Sequence, residues 1–280
     1  MSTDTLASAW WRRWESNPRP PQCECGALST ELRPQYHYYT KNPNVPQRTL
    51  SDTRDSKTYV VAKLADGKCW MLQNLRIGTS AITLTPADSD VSANFAIPAS
   101  AIQSSGNTSW TTANAVRIYN NNDTWIAPTS SGNNATINTT GTPPSQSQYI
   151  GNYYNWYTAT AGTGTAAMAS GNATSSICPK GWRLPTGDTA SSSFYSLVNT
   201  ALSATGAAGS WKLQNSPYHF ALFGYYYEGP YHQGSEGEWW TSTVINADYA
   251  VSLQVFTTST NSMGGYNGKV SGYSVRCLAR

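Results

Sequence analysis

An aromatic stretch at residues 218–240 has the clearest chemical character in the chain: YHFALFGYYYEGPYHQGSEGEWW contains nine Phe, Tyr or Trp in 23 positions. Successive side chains of a strand point to opposite faces, so Tyr225, Tyr226 and Tyr227 cannot all be buried. Glycines and Pro230 favour turns that present the outward tyrosines. Tyrosine beside Ser, Gly and Asn is the chemistry of antibody paratopes. The stretch favours a binding surface, and the alternative is a set of packing tyrosines on one sheet face.

The candidate contact surface extends from this stretch into the segment that follows it. Its ligand-binding candidates are Tyr225, Tyr227, Tyr231, His232, Glu236, Glu238, Trp239, Ile245, Asn246 and Asp248. Aromatic rings supply contact area with few rotors to freeze, and the polar members supply hydrogen bonds. We expect the partner to be a protein or a glycan on another cell or particle.

Acidic residues are the other source of chemistry in the C-terminal third, which offers Glu228, Glu236, Glu238 and Asp248. Two carboxylates can form a glycosidase pair, with their separation deciding the mechanism. Scattered acids in Gly-rich loops are more often solvated, however, and calcium needs more oxygen ligands than this sparse set supplies. We therefore predict a non-enzymatic protein, and a glycan hydrolase is the less favoured alternative.

Metal-binding and phosphate-binding motifs are missing from the sequence. Cys23 and Cys25 are too close together for a usual zinc knuckle, and the chain has only three His. It also has no Gly-rich phosphate loop. We predict neither a metal site nor a cofactor.

The elements that must position these residues are mainly strands. Residues 57–63 and 68–73 flank the turn dipeptide Asp66-Gly67 and predict a β-hairpin. A helix is predicted over residues 189–202, with Asp188 as its N-cap. Further strands are predicted at 219–227, 239–244, 249–256 and 273–278, and the alternation in 249–256 predicts one buried face. The fold class is α+β, dominated by antiparallel strands with one clear helix and long loops.

Charge and hydropathy exclude two classes of partner. Charged residues make up 12% of the chain and its formal net charge is +3, so no basic stripe is present to bind nucleic acid. There is no apolar run of about 18 residues, so no transmembrane helix is predicted. A composition rich in Ser, Thr, Asn, Gly and aromatic residues and poor in Lys and Glu, with five cysteines whose placement suggests pairing, is instead typical of an extracellular or cell-surface protein.

The sequence predicts an N-terminal segment, a domain and an insertion within that domain. Residues 1–48 are rich in proline and lack periodicity, which predicts either a natural disordered linker or a mis-assigned start that has replaced the genuine leader. Residues 49–280 form the predicted domain. Within it, residues 78–148 have few charges and many turn formers, and we expect a loop-rich insertion there.

Five motifs occur in a fixed order along the predicted domain: DTRDSKTYVVAKLADGKCWMLQNL (52–75), NYYNWYTA (152–159), CPKGWRLPT (178–186), EWWTST (238–243) and GYSVRC (272–277). Together they resemble the Fibrobacter succinogenes major paralogous domain, whose members are expected to adopt a C-type-lectin-like fold. The resemblance implies that Trp182, Trp240 and the chain around Gly272 lie in or near the core. It also implies that the N- and C-terminal strands pair, and that the ligand surface lies between the helix and the C-terminus.

The resemblance also bears on the cysteines, because in a lectin-like fold the segments that carry Cys178 and Cys277 are plausible neighbours. A disulfide between them is favoured over two buried free thiols. It would close a loop of about 100 residues and stabilise the fold by up to roughly 4 to 5 kcal/mol in the chain-entropy model. Cys69 is left to pair with Cys23 or Cys25, or to stay free.

The same fold is used by the variable proteins of diversity-generating retroelements. A target of such an element is diversified at adenines of its codons, which yields mixed Tyr, Ser, His, Asp and Asn at scattered positions. The resemblance therefore implies a surface-display or adhesion protein with a variable-type, Tyr-rich binding surface. The alternative is a fixed paralogous surface protein with a structural role.

Overall fold

The computed structural model describes residues 32–35, 45–104, 110–120, 151–214 and 217–280. Within these ranges there are sixteen strands: β1 Leu32–Gln35, β2 Gln47–Asp52, β3 Thr58–Lys63, β4 Cys69–Met71, β5 Ile82–Leu84, β6 Phe95–Ile97, β7 Ile102–Gln103, β8 Ile118–Tyr119, β9 Tyr153–Tyr154, β10 Trp182–Arg183, β11 Tyr225–Tyr226, β12 Pro230–Tyr231, β13 Glu236–Val244, β14 Tyr249–Phe256, β15 Thr260–Gly268 and β16 Leu278–Ala279. The helices in the same ranges are short: α1 Trp156–Ala159, α2 Ser193–Tyr195 with a π-helical continuation Ser196–Ala201, α3 Gly206–Gln214, and a 3₁₀ turn Ala99–Ala101.

The largest sheet has the strand order β1-β2-β3-β4-β16-β10, and each of its pairs is antiparallel. The predicted hairpin at 57–73 is confirmed as β3 and β4, joined through Gly67 at φ 75°. The C-terminal strand β16 pairs with β4 through Leu278 and Trp70, as the resemblance implies. The described strands are mostly antiparallel, with β7 and β8 as a parallel pair, so the α+β class is confirmed.

The start of this sheet lies upstream of residue 49, where the sequence places the domain boundary. Strand β2 begins at Gln47, and β1 pairs with it from Leu32 to Gln35. Six residues of the segment assigned to a leader, the four of β1 and the first two of β2, therefore belong to the six-stranded sheet. Residues 1–31 and 36–44 lie outside the described residues.

The second major sheet, β13-β14-β15, positions most of the candidate site. Strand β14 matches the predicted 249–256, but the prediction of one buried face is too simple. Leu253 and Val255 pack in one hydrophobic cluster, whereas Ala250 on the opposite face packs in another. The middle of β14 is buried on both faces because this sheet lies between the two clusters.

The helices differ most from the sequence-based expectation. Asp188 was the predicted N-cap, yet it has a left-handed φ of 74°, and the helix begins at Ser193 with Ser192 as its cap. The Ser192 hydroxyl accepts from the N–H of Tyr195, which satisfies one free donor of the first turn. A second helix, α3, was not predicted, because its sequence GAAGSWKLQ has almost no amphipathic pattern.

Three hydrophobic clusters form the core of the described residues. The first contains Trp156, Trp182 and Trp240, and the second contains Trp70 and Trp239 with the buried faces of α2 and α3. The third is a small aromatic cluster of Trp110, Tyr119, Tyr153 and Tyr226. Trp182 and Trp240 are thus in the core, and Gly272 packs directly against Trp110 and Tyr226, in agreement with the resemblance.

The predicted insertion at 78–148 contributes to this core. Leu84, Ile97 and Ile118 are fully or almost fully buried in the first cluster. The described part of the segment also contains the short strands β5 to β8, which loops connect. Residues 105–109 and 121–150 lie outside the description.

The disulfide between Cys178 and Cys277 is present, with an S–S distance of 2.08 Å and a sequence separation of 99. Both cysteines are completely buried in the first cluster. Cys69 is also disulfide-bonded. The alternative in which Cys69 stays a free thiol is therefore wrong.

Candidate functional site

The β11–β12 hairpin sorts the three consecutive tyrosines into different environments. Tyr225 pairs with Tyr231, and Tyr226 pairs with Pro230. Tyr226 is completely buried, and its ring lies 4.5 Å from that of Trp110 and 4.5 Å from that of Tyr119. Tyr227 is 48% exposed and Tyr225 is half-buried. The prediction that these tyrosines cannot all be buried is confirmed.

Four outward side chains form what we call the aromatic patch: Tyr225, Tyr227, Tyr231 and His232. The rings of Tyr225 and Tyr231 stack with centroids 6.0 Å apart, and the ring of His232 meets Tyr225 edge-on at 5.3 Å. Tyr231 is 40% exposed. The patch therefore presents aromatic edges and faces to solvent from a two-stranded support.

Glycine makes the tight turn under the patch possible. Gly224 has a φ of 75°, and a Cβ at this position would lie 2.0 Å from the carbonyl oxygen of Tyr231. The carbonyl oxygen of Glu236 accepts from the N–H of Gly224. Because only glycine fits here, the patch is held close to the first residue of β13.

His232 is fixed to the start of β13 by side chain and backbone. Its Nδ1 lies 2.7 Å from Oε2 of Glu236, and its carbonyl oxygen accepts from the N–H groups of Ser235 and Glu236. The Glu236 carboxylate is almost completely buried, whereas about a third of the His232 side chain is exposed. The imidazole therefore has one fixed orientation, with its outer edge towards solvent.

Glu238 lies below Glu236 on the same face of β13 and is buried. Its carboxyl oxygens accept from Ser252 Oγ at 2.9 Å, Gln254 Nε2 at 3.3 Å and Asn267 Nδ2 at 2.6 Å. Burial raises the pKa of Glu238 well above its usual range, and the neighbouring carboxyl group of Glu236 raises it further.

The burial of this carboxyl pair bears on the hydrolase alternative. A glycosidase holds two carboxyl groups on either side of the scissile bond of its substrate. Glu236 and Glu238 are instead almost completely buried, and each is held by side-chain hydrogen bonds within the fold.

The same carboxyl groups act on Tyr225. Burial raises the pKa of the Tyr225 phenol to about 12, and Glu236 and Glu238 add to this effect. The phenol therefore stays protonated over the physiological range and can donate a hydrogen bond to a ligand.

Trp239, one of the predicted contact residues, lies in the core instead. Strand alternation puts it on the face of β13 opposite Glu236 and Glu238, where it is completely buried. Its ring packs edge-on against Phe220 at 5.0 Å, and its Nε1 donates to Asn74 Oδ1 at 2.7 Å. Trp239 supports the sheet and cannot contact a ligand.

The remaining predicted residues lie at the far end of β13. Ile245, Asn246 and Asp248 form the tight turn between β13 and β14, where Asn246 Oδ1 accepts from the N–H groups of Asp248 and Tyr249. Strand β13 has nine residues, so this turn is roughly 25 Å from the patch at about 3.3 Å per residue. The structure brings the first group of predicted residues together and separates the second group from it.

Several residues that bear on the site were not predicted. Ser252, Gln254 and Asn267 hold Glu238, and Asn261 Nδ2 in turn donates to Gln254 Oε1 at 3.2 Å. Ser252 and Gln254 alternate with the apolar residues of β14, and this alternation is the sequence pattern that could have placed both on one face of the strand. Asn267 comes from β15 and is paired with Ala250, a register that local sequence does not reveal.

No family model matches the chain, and neither a curated protein nor a solved structure is significantly similar to it. Within the described ranges, no three His, Cys, Asp or Glu side chains converge as a metal site requires. The helices in the same ranges are too short or too polar to cross a bilayer.

Proposed function

We propose that this chain is a non-enzymatic binding protein that presents the aromatic patch to a protein or glycan ligand on another cell or particle. The observation that carries the proposal is the exposure of Tyr227 and Tyr231 on a hairpin whose inner residues are fixed. Exposed aromatic side chains on rigid support are typical of interaction surfaces, because little rotamer entropy is lost on binding.

The support beneath the patch is consistent with preorganised binding. Tyr226 anchors the hairpin in an aromatic cluster, and His232 is oriented by Glu236. Glu238 and its neutral hydrogen-bond donors fill the space below. A ligand would meet a surface whose side chains already hold their bound positions, which lowers the entropic cost of association.

The proposed fold is C-type-lectin-like, as in the Fibrobacter succinogenes major paralogous domain, and the proposed location is extracellular or on the cell surface. Support comes from the paired terminal strands, the buried tryptophans of the shared motifs and the buried disulfide. Disulfides persist mainly in oxidising compartments.

A retroelement-diversified version of the same module is the more specific proposal, and a fixed paralogous surface protein is its alternative. The flanking DNA discriminates between them. A reverse transcriptase and a template repeat that differs from the 3′ end at adenines are expected next to a diversified gene. A locus without both would leave the fixed surface protein.

The binding proposal is tested with dye-labelled, tetramerised chain applied to a printed glycan array and to a panel of whole cells. We expect saturable binding that the double variant Tyr227→Ala/Tyr231→Ala loses while its melting temperature stays near that of the wild type. The matched control is Trp211→Ala, because Trp211 is an exposed aromatic side chain outside the patch. A double variant that keeps full binding to every cell and every glycan would refute the proposal.

A further inference from the structure

A concave surface, which we call the polar groove, lies at the end of β13 away from the aromatic patch. It has a volume of about 690 Å³, within the range of small-molecule sites. Three segments form its walls: residues 170–172, residues 186–192 and the strand end at residues 243–245, with Tyr266 of β15 at one side.

The lining of the groove is polar and almost uncharged. Nine of its thirteen residues are Ser, Thr, Asn or Gly, and Asp188 is the one charged side chain among them. With no Lys or Arg in the lining, the groove offers nothing to bind an anion, and a single carboxylate is too few for a metal ion. Val244 and Ile245 add only a small apolar area. The chemistry suits a neutral ligand with many hydroxyl groups.

An aromatic surface stands beside this lining. Tyr266 is directly opposite Val251 in the β14–β15 register, and Tyr249 is two residues before Val251, so both tyrosines lie on the same face of the sheet. Tyr266 is 59% exposed and Tyr249 is 44% exposed. A tyrosine face carries partial negative charge and attracts the positively polarised C–H groups of a sugar ring.

Asp188 and Gly171 leave the groove open. Asp188 is held at φ 74°, and the described residues include no hydrogen-bond partner for its carboxylate. A carboxylate accepts two hydrogen bonds at once, which suits adjacent hydroxyl groups. Gly171 has φ 85°, and a Cβ there would meet no atom within 4 Å.

We propose that the polar groove is a binding site for a neutral oligosaccharide. Tyr266 stacks on one sugar ring, Asp188 accepts hydrogen bonds from ring hydroxyls, and the Ser, Thr and Asn side chains bind the remaining hydroxyls. The site needs no metal ion. It is separate from the aromatic patch and does not depend on the function proposed for that patch.

The test is calorimetric titration and saturation-transfer NMR of the full chain, in the presence of a chelator, with neutral disaccharides: cellobiose, lactose, maltose and xylobiose. Sialyllactose serves as the anionic comparison. We expect at least one neutral sugar to bind at millimolar concentration, and Tyr266→Ala to weaken it about tenfold. Asp188→Asn keeps a residue that tolerates φ above zero and should weaken binding by a similar factor of about ten.

Two controls keep the result interpretable. Trp211→Ala removes an exposed aromatic side chain outside the groove lining and should leave sugar affinity unchanged, whereas Tyr266→Phe retains the ring and should retain most of the affinity. Absence of binding by all four neutral sugars, preference for sialyllactose, or binding unaffected by Tyr266→Ala would each overturn the groove proposal. None of these outcomes changes the test of the aromatic patch, since that test substitutes Tyr227 and Tyr231.

Discussion

Tyr225 and Tyr231 face each other across the β11–β12 hairpin with their rings stacked at a centroid distance of 6.0 Å and an interplanar angle of 19°. The two members of this stack have different surroundings. Tyr225 also packs edge-on against Tyr273 at 5.6 Å, whereas Tyr231 is 40% exposed. Tyr225 therefore joins the patch to the core, and Tyr231 extends it into solvent.

This difference predicts unequal effects of alanine substitutions on stability. Tyr225→Ala should lower the free energy of unfolding by about 1 to 2 kcal/mol, because it removes ring contacts that are partly buried. Tyr227→Ala and Tyr231→Ala should each change it by about 0.5 kcal/mol or less. Urea denaturation of the three variants measures the difference. Equal losses at Tyr225 and Tyr227 would show that the hairpin packs differently.

The carboxyl pair predicts a pH-dependent contribution to stability. The folded-state pKa of Glu238 is raised by burial and by Glu236, whereas an unfolded Glu titrates near about pH 4.3. The folded state therefore binds the Glu238 proton more tightly than the unfolded state does. The contribution of this proton to the free energy of unfolding is complete below the unfolded pKa and is lost as the pH rises through the raised, folded-state pKa.

Glu238→Gln tests this directly, because the amide keeps the shape of a protonated carboxyl. The stability of the wild type relative to the variant should fall as the pH rises above 5, by at most about 1.4 kcal/mol per pH unit. Chemical denaturation at pH 5, 6, 7 and 8 gives the two curves. Glu228→Gln, at an exposed position, is the matched control and should run parallel to the wild type. Parallel curves for Glu238→Gln as well would contradict a raised pKa of Glu238 in the folded protein.

The Cys178–Cys277 disulfide predicts a large effect of its removal. Cys178→Ala/Cys277→Ala should lower the free energy of unfolding by about 2 to 4 kcal/mol, because it releases a loop with a sequence separation of 99. Peptide mapping by mass spectrometry without reductant should recover the two cysteines in one linked species. Alkylation of both thiols in the unreduced protein would disprove the bond.

Asn74 is a further position at which substitution should strongly lower the stability of the fold. Its Oδ1 accepts from Trp239 Nε1 at 2.7 Å, and from Arg276 Nε at 3.2 Å and Nη2 at 3.1 Å. Asn74→Ala would leave these buried donors without that acceptor and should cost about 3 kcal/mol or more. Asn246→Ala, in an exposed turn, is the control and should cost about 1 kcal/mol or less. Thermal melting compares them, and a mild effect at Asn74 would mean that water replaces its oxygen.

Local patterns predict only part of this fold. The β3–β4 hairpin and strand β14 could be read from a turn dipeptide and from alternation, because neighbouring residues determine both features. The helix start could not, because Thr186 and Ser193 bond to each other and fix the chain around Asp188 in a left-handed turn. That constraint comes from tertiary packing, which no local preference encodes.

The candidate site, too, could be predicted only in part from local sequence patterns. Composition and glycine spacing pointed to outward tyrosines at 225–231, and Tyr227 and Tyr231 are indeed exposed. The sequence could not show that a nine-residue strand separates these residues from Ile245 to Asp248, nor that Trp239 faces the core. The sequence does not predict that Tyr249 and Tyr266 form one surface, because each is a single aromatic residue in its segment. Only the register of β14 and β15 places them on the same face of the sheet.

The position of β16 between β4 and β10 has a consequence for how the chain is made. Arg276 and Asn74 are hydrogen-bonded although 202 residues separate them, and Leu278 pairs with both β4 and β10. A nascent chain on the ribosome can form the β2–β3–β4 meander early, but the edge of β4 stays unpaired until the last strand emerges. Such an open edge can recruit strands from other chains. Chaperone protection or slow translation of the central region would therefore be expected to affect the yield of folded protein more than its final stability.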